Sequence, residues 1–269
     1  MSTVAELMRK TIRDEIKKLC RKAFNKIEAE AASAQKYRDK FEKRTGIAAA
    51  FGWPKGPSYT HRHFDPQHCK RNANALASAI WAAMLDGSYQ PTPAIRHMIP
   101  KKTGGFREIM AFSIPDAALA NVLFKAARER NRKRLSPFSY AYTPERNVFD
   151  AILALRQFEP DGKLIAVQID FEKYFDSIPR PFLEELVDDE TLISLTPHER
   201  FVFKALMRHS YGQPNDFWLR RFKQRYRGTP QGNSVSLLLA NLANDPLDRK
   251  LSREAGRFVR FADDVVALC

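Results

Sequence analysis

The stretch Phe258-Val259-Arg260-Phe261-Ala262-Asp263-Asp264-Val265-Val266-Ala267-Leu268 sets two adjacent carboxylates between two apolar arms. Arms of this kind around a polar pair read as a strand hairpin with acid at its turn. Adjacent like charges repel, so keeping both ionised in a tight turn favours a nearby divalent cation or several backbone donors. Taken alone, the stretch also reads as an ordinary Asp-containing turn.

A second acidic position changes the balance. Lys163-Leu164-Ile165-Ala166-Val167-Gln168-Ile169-Asp170, bounded by Asp161-Gly162, reads as a buried strand that ends on an aspartate. A carboxylate there must be solvated, hydrogen-bonded or bound to a cation, because burying it alone is too costly; a helix cap is the plain alternative. With Asp263 and Asp264, Asp170 supplies the hard oxygen ligands that magnesium prefers, leaving room for water and phosphate. Two such ions roughly 3.5 to 4 Å apart activate an attacking hydroxyl and stabilise the leaving phosphate in an in-line displacement.

The charge balance points the same way. Of 269 residues, 45 are Lys or Arg and 31 are Asp or Glu, a formal +14, and 44% are apolar, enough for a real core in one large or two small domains. Such an excess attracts polyanions, and nucleic acid is favoured over a membrane surface. The chain has no apolar run of ~20 residues and Met1–Lys10 lacks the apolar core of a secretory signal, so a soluble protein is expected. Three separated cysteines, Cys20, Cys69 and Cys269, fit a reducing compartment, hence the cytoplasm.

Along the chain, Leu7, Met8, Ile12, Ile16, Leu19, Phe24 and Ile27 recur at helical spacing, predicting one or two helices to about Phe41. They read either as a basic arm that grips RNA or as a solvated helix packed by one stripe. Gly46–Pro66, with Trp53-Pro54-Lys55-Gly56-Pro57, reads as a connector. His61, His63, His68 and Cys69 carry zinc-binding atoms without zinc-finger spacing, so loop histidines are the favoured reading. A packing helix is expected from Gln67 to Asp86. A hairpin follows over Ala94–Met110, with cations at its Lys101–Gly105 tip. The helix expected over Asp116–Arg134 ends in Arg128, Arg130, Arg132, Lys133 and Arg134, which suit a phosphate backbone or a solvated helix end. Around 217–227, Phe217, Trp218, Phe222 and Tyr226 interleave with Arg220, Arg221, Lys223, Arg225 and Arg227, so that rings stack on bases while cations hold phosphates.

Three motifs in order resemble those of reverse transcriptases. Asp170-Phe171-Glu172-Lys173-Tyr174-Phe175-Asp176-Ser177-Ile178 resembles the first palm motif, and Phe261-Ala262-Asp263-Asp264 the paired-aspartate motif, with Phe where Tyr is commoner. Between them Gly228-Thr229-Pro230-Gln231-Gly232-Asn233-Ser234, with Ser236, Leu239 and Asn241, resembles the second palm motif. Ile99–Arg107 is similar to the family's basic hairpin over the triphosphate, while Gly87–Pro91 and Ser139–Arg146 resemble stretches of bacterial members such as group II intron, retron and defence-associated enzymes. The resemblance runs from about Gly87 to the end.

It implies an α+β, right-hand polymerase fold of fingers plus palm, the antiparallel palm sheet backed by helices, with a helical N-terminal extension and the thumb absent from this stretch. The implied division is a basic helical extension at 1–45, a connector at 46–66, fingers with the start of the palm at 67–160, and an incomplete palm at 161–269. Asp170, Asp263 and Asp264 would be catalytic, binding two magnesium ions (manganese as substitute) with the backbone carbonyl of Phe171. Lys101, Arg107, Tyr174, Phe175, Gln231 and Gly232 would meet the nucleotide, Phe175 as the ring that leaves no room for a 2′-hydroxyl. Asp176 offers a competing reading, since viral RNA-dependent RNA polymerases use a second aspartate to read that hydroxyl; the ring is preferred because the paired aspartates lack the preceding glycine typical of those enzymes. Arg128, Arg132, Arg134, Arg220, Arg221, Phe222, Arg225, Tyr226 and Arg227 would contact nucleic acid.

The function implied is RNA-templated DNA polymerisation, in phage defence or a retroelement. Its partners would be an RNA template, including a dedicated structured RNA, a DNA product, deoxynucleoside triphosphates and a second copy of the chain, with no membrane. The rivals are a nucleic-acid-binding fragment that does not polymerise and a template-independent or repetitive DNA synthase of the same fold.

Overall fold

In the computed structural model the described residues are 2–49, 59–101, 104–143, 145–159, 162–254 and 257–269. The Trp53–Pro57 connector, Lys102 and Thr103 of the hairpin tip, Pro144 and Asp161 lie outside them.

Ser2–Thr45 is one continuous helix, α1. Its buried stripe is Ile12, Ile16 and Cys20, at steps of four. From Arg21 onward its residues are exposed or half-buried. The single helix expected over 67–86 is two, α2 (Pro66–Arg71) and α3 (Ala73–Leu85). Asn72 divides them, its backbone N–H and side-chain amide both donating to the His68 carbonyl.

The expected hairpin forms from β1 (Ala94–Pro100) and β2 (Phe106–Ala111), in register from Ile95↔Ala111 to Pro100↔Phe106. Next, α4 (Ile114–Arg130) starts at a Ser113 cap with Pro115 in its first turn and buries residues along most of its length. It ends four residues short of Arg134, where Asn131 caps it and donates to the Ser194 carbonyl. The order continues with α5 (Val148–Arg156), β3 (Ala166–Ile169), α6 (Tyr174–Ser177), α7 (Arg180–Asp188), α8 (Pro197–Met207), β4 (Ser210–Gly212), α9 (Pro214–Leu219) and β5 (Lys223–Gln224). It closes with α10 (Ser234–Ala243), α11 (Asp245–Glu254), β6 (Arg257–Phe261) and β7 (Asp264–Leu268).

Two sheets result, so the chain is α+β. One has the order β2-β1-β4-β5, with β1 and β4 parallel and the other pairs antiparallel. The other, β3-β7-β6, is antiparallel throughout. Residues 210–224 therefore join the sheet of the β1–β2 hairpin, so the second half of the chain contributes strands to both sheets.

The main core lies among α1, α3, α4, α7, α8 and α10, where Ile16, Leu119, Leu183, Phe203 and Leu238 are fully or almost fully buried. A smaller cluster of Phe258, Val265 and Ala267 packs with Phe138 and with Leu247 and Leu251 of α11.

The reading of 163–170 as a buried strand is corrected. β3 covers only Ala166–Ile169 and lies at a sheet edge, and Leu164, Ile165 and Val167 are exposed. An apolar run marks a buried strand only where neighbours cover both faces; β3 pairs with β7 alone.

Candidate active site

The hairpin at 258–268 pairs Phe261 with Asp264, leaving Ala262 and Asp263 as a two-residue turn with Ala262 in the left-handed region at φ 61°. On the far side of β7, Ile169 of β3 pairs with Val265. Asp170, one step beyond Ile169, therefore lies beside Asp264, one step before Val265. Neighbouring strands are about 4.8 Å apart, so the register brings together carboxylates 94 positions apart in the numbering. Burial first, then the charges of Asp263 and Asp170, pushes the Asp264 carboxyl above its ordinary value.

A divalent cation would relieve that repulsion, and the donors are hard oxygens of the kind magnesium takes. No group of three or more His, Cys, Asp or Glu side chains among the described residues is arranged to ligate an ion, the histidines at 61, 63 and 68 included.

Arg260, fully buried on β6, braces the turn. It donates to both Asp248 oxygens at 2.8 and 2.7 Å, to Asn241 Oδ1 at 3.0 Å and to the Ala262 carbonyl at 3.0 Å. That carbonyl immediately precedes Asp263. Asn241 in turn donates to the Ala141 carbonyl at 2.9 Å and accepts from Ser139 Oγ at 3.1 Å. One buried cation thus links α10, α11, the acidic hairpin and the Ser139–Tyr142 segment. Sequence reasoning missed it, although a cation inside an apolar arm is itself a signal.

Beside the hairpin is a cleft of about 690 Å³, lined by Asp170, Phe171, Asp263, Lys101, Arg107, Tyr174, Phe175, Gln231 and Gly232 among others. Nine of the residues assigned to metal or nucleotide thus share one cavity; Asp264 is outside its lining.

The floor is built by close backbone approach. Met110 N–H of β2 donates to the Gln231 carbonyl at 2.7 Å, and a Cβ on Gly232 (φ +140°) would stand 2.0 Å from the Met110 carbonyl oxygen. Only glycine fits there. Asn233 then caps α10, its Oδ1 accepting from Ser236 N–H at 3.0 Å.

The lining includes a residue absent from the sequence-derived set. Tyr142 (φ 59°) sits in the cleft, its phenol raised by burial and by the Asp263 carboxylate while Arg107 draws it down.

Tyr174 lines the cleft, but its hydroxyl points inward and donates to the Ala240 carbonyl at 2.7 Å, and its ring packs beside Phe171 and Phe175. It supports the neighbouring ring, and its hydroxyl is not free to meet a nucleotide.

The residues assigned to nucleic acid divide. Arg220, Arg221, Tyr226 and Arg227 are exposed, as is Trp218. Phe222 is half-buried edge-to-face on Phe217 at 5.1 Å. Arg225 is mostly buried between Asp176 at 3.0 Å and Glu108 at 2.9 Å. Arg128 lies over the Phe124 ring, Arg132 pairs with Glu145 and Arg134 donates to the Glu190 carbonyl. Phe222 and Arg225 are thus held by internal partners and Arg128 by the Phe124 ring, while Arg132, Arg134 and Arg227 stay exposed although each has a protein partner, Arg227 Nε donating to the Ser177 carbonyl; the stretch at 217–227 keeps fewer free side chains than its composition promised.

Residues 99–269, which build most of this cleft, match the family described as reverse transcriptase (RNA-dependent DNA polymerase), and the chain belongs to that family. Among individual proteins it is similar to Protein YkfC of Escherichia coli (strain K12), 26% identical over 173 residues, 62% of this chain and 43% of that protein. It is also similar to the Putative COX1/OXI3 intron 2 protein of Saccharomyces cerevisiae, 26% identical over 175 residues, 61% of this chain and 18% of that protein. The chain thus spans less than half the length of either relative. A solved structure of telomerase from Candida albicans in complex with the TWJ fragment of telomeric RNA aligns with 68% of this chain and 39% of its own at 14% identity, with a TM-score of 0.46.

Proposed function

We propose that the cleft performs nucleotidyl transfer, extending a primer with deoxynucleotides on an RNA template. The observation that carries this is the register that sets Asp170 beside Asp264 and the acidic turn, at a cleft also lined by Lys101 and Arg107. Asp170, Asp263 and Asp264, with the Phe171 carbonyl, would hold two magnesium ions, or manganese in their place. Bound there, the metal supplies activation of the primer 3′-hydroxyl and charge for the leaving pyrophosphate.

Lys101 and Arg107 neutralise the triphosphate, and electrostatic positioning of this kind is most of what phosphoryl transfer asks of a protein. Gln231 and Gly232 form the floor, and Phe175 lies under the sugar. Trp218, Arg220, Arg221, Tyr226 and Arg227 offer an exposed surface to the nucleic acid. The outer, basic part of α1 is assigned to a structured RNA, and the setting to a cytoplasmic retroelement or phage-defence system.

The test is deoxynucleotide incorporation on a primed RNA template with magnesium, using the full-length polypeptide. Asp263→Ala and Asp264→Ala are expected to lower it at least about a hundredfold. RNA retention without incorporation by the folded wild type would instead establish the binding-only reading.

A further inference from the structure

Arg225 was expected to meet nucleic acid and instead lies inside the molecule, at the meeting of two segments that form the cleft. Its Nη1 donates to Asp176 Oδ1 at 3.0 Å and its Nη2 to Glu108 Oε2 at 2.9 Å. Glu108 is shared with Arg96 at 2.7 Å. Asp176 directly follows Phe175 and Glu108 directly follows Arg107. One guanidinium thus joins the neighbour of the ring under the sugar to the neighbour of a cation over the phosphates.

The chain after Arg225 continues as a splint along residues 175–178. Arg227 Nε donates to the Ser177 carbonyl at 3.1 Å, Gly228 N–H to the Ile178 carbonyl at 2.9 Å and Thr229 N–H to the Phe175 carbonyl at 2.8 Å. Gly228, at φ +73°, lies so close that a Cβ there would stand 2.4 Å from the Phe175 carbonyl oxygen. The backbone of Phe175 is therefore gripped directly, and the carboxylate beside it is held by a planar, two-pronged cation. The guanidinium bridges two carboxylates, one nitrogen to each, so its fixed plane sets Asp176 relative to Glu108, a geometry that a lysine ammonium does not fix.

We propose that Arg225 is a specificity-determining positioning residue: by holding Asp176 it fixes the Phe175 ring against the sugar and keeps the carboxylate from a 2′-hydroxyl, so the cleft prefers deoxynucleotides. This rests on the polymerase reading above. A hydroxyl is excluded by a ring only while the ring cannot yield, and a carboxylate free to turn toward the sugar would accept a hydrogen bond from that hydroxyl. Breaking the Arg225–Asp176 pair relaxes both controls.

The experiment measures kcat/KM for a deoxynucleotide and its ribonucleotide on the same primed RNA template, for wild type, Phe175→Val, Arg225→Met, Arg225→Lys, Asp176→Asn and Phe175→Val with Arg225→Met. Thermal unfolding checks each variant. A general loss of structure lowers both substrates together, so the ratio isolates discrimination. The deoxy-to-ribo ratio is expected to fall at least about tenfold in Arg225→Met and Asp176→Asn, with Arg225→Lys between them and wild type. Adding Arg225→Met to Phe175→Val is expected to lower the ratio by less than the product of the two single effects, because the ring is shared and only the freed Asp176 carboxylate adds to it; full multiplication of the two effects overturns the coupling. Should Arg225→Met not fold, Asp176→Asn weakens the same pair from the other side by removing its charge.

A ratio that stays at the wild-type value in folded Arg225→Met or Asp176→Asn, while Phe175→Val lowers it, overturns this proposal and leaves the polymerase reading standing. An unchanged ratio in Phe175→Val removes the gate and the proposal with it. No incorporation by wild type, with RNA still bound, means the polymerase reading itself has failed.

Discussion

Arg260 and Asp248 show how much a single buried pair carries. Both side chains are almost wholly withdrawn from water, and the pair also braces the acidic turn through the Ala262 carbonyl. Arg260→Met strands a buried carboxylate, and unfolding in urea is expected to show a loss of about 3–5 kcal/mol. The double change Arg260→Met with Asp248→Leu removes the stranded charge and is expected to recover much of that stability. Nucleotide incorporation is not expected to recover with it, because the turn still lacks its donor. Full recovery of both would reduce Arg260 to a packing role.

His209 carries a pH effect. Burial holds its imidazole down to about 4, with Arg225 and Arg180 pushing it lower and the Leu206 and Met207 carbonyls pulling it up. The folded chain keeps this histidine neutral while the unfolded chain takes up a proton below its ordinary value near 6.5. Its contribution is therefore complete above about pH 6.5 and falls as the pH drops toward 4, by up to roughly 1.4 kcal/mol per unit. Denaturant titrations across that window should show a shallower slope in His209→Gln. The remainder includes His63, which burial also lowers to about 4.

At the scale of elements, the junction of β2 with the loop before α10 is the tightest point described. Gly232→Ala puts a methyl into the Met110 carbonyl and asks a side chain to adopt φ +140°. Backbone strain of this kind costs on the order of 1–3 kcal/mol, and any relief must move β2, which carries Arg107. The expected result is a lowered melting temperature together with a raised KM for deoxynucleotide. A melting change with KM untouched would mean that the loop yields and β2 does not.

The two chemistry-bearing hairpins were legible from local pattern alone, because apolar arms on either side of Gly-Gly or of an acidic pair mark a turn without distant help, although the turn itself is Ala262-Asp263 and Asp264 opens β7. The extent and burial of β3 were not, since a strand's burial depends on what covers it, and that is decided by elements far along the chain. The 67–86 helix was read as continuous because a break at an asparagine depends on local hydrogen bonds, here from Asn72 to the His68 carbonyl, that periodicity does not register.

For the molecule as a whole, a formal charge of +14 makes any nucleic-acid affinity steeply salt-dependent. Replacing Arg220 and Arg221 with alanine is expected to flatten the plot of log affinity against log salt by about 0.7 for each single-strand phosphate that is no longer neutralised. Trp218→Ala should weaken binding by about 1–3 kcal/mol with the slope unchanged, since stacking releases no counterions. A slope unchanged by the arginine replacements, together with an affinity unchanged by Trp218→Ala, would remove this surface from the nucleic-acid path.

Composition revealed the charge but not its deployment. Arg225 finds Asp176 49 positions away and Glu108 117 away, separations at which no sequence spacing signals a pair. The acidic cluster was recoverable because its members sit in motifs; Tyr142 and Arg260, which depend on the packed whole, were not.

The long helix α1 gives the particle an uneven shape. Its 44 residues make a rod of about 66 Å, whose buried stripe ends at Cys20 and whose Phe24, under Lys70, still packs against the core. Beyond Phe24 the helix is met by the chain that follows it, Ala49 accepting from Arg38 and donating to Glu42; over a rod of this length a small tilt at the anchored end becomes a sweep of many ångströms at the other.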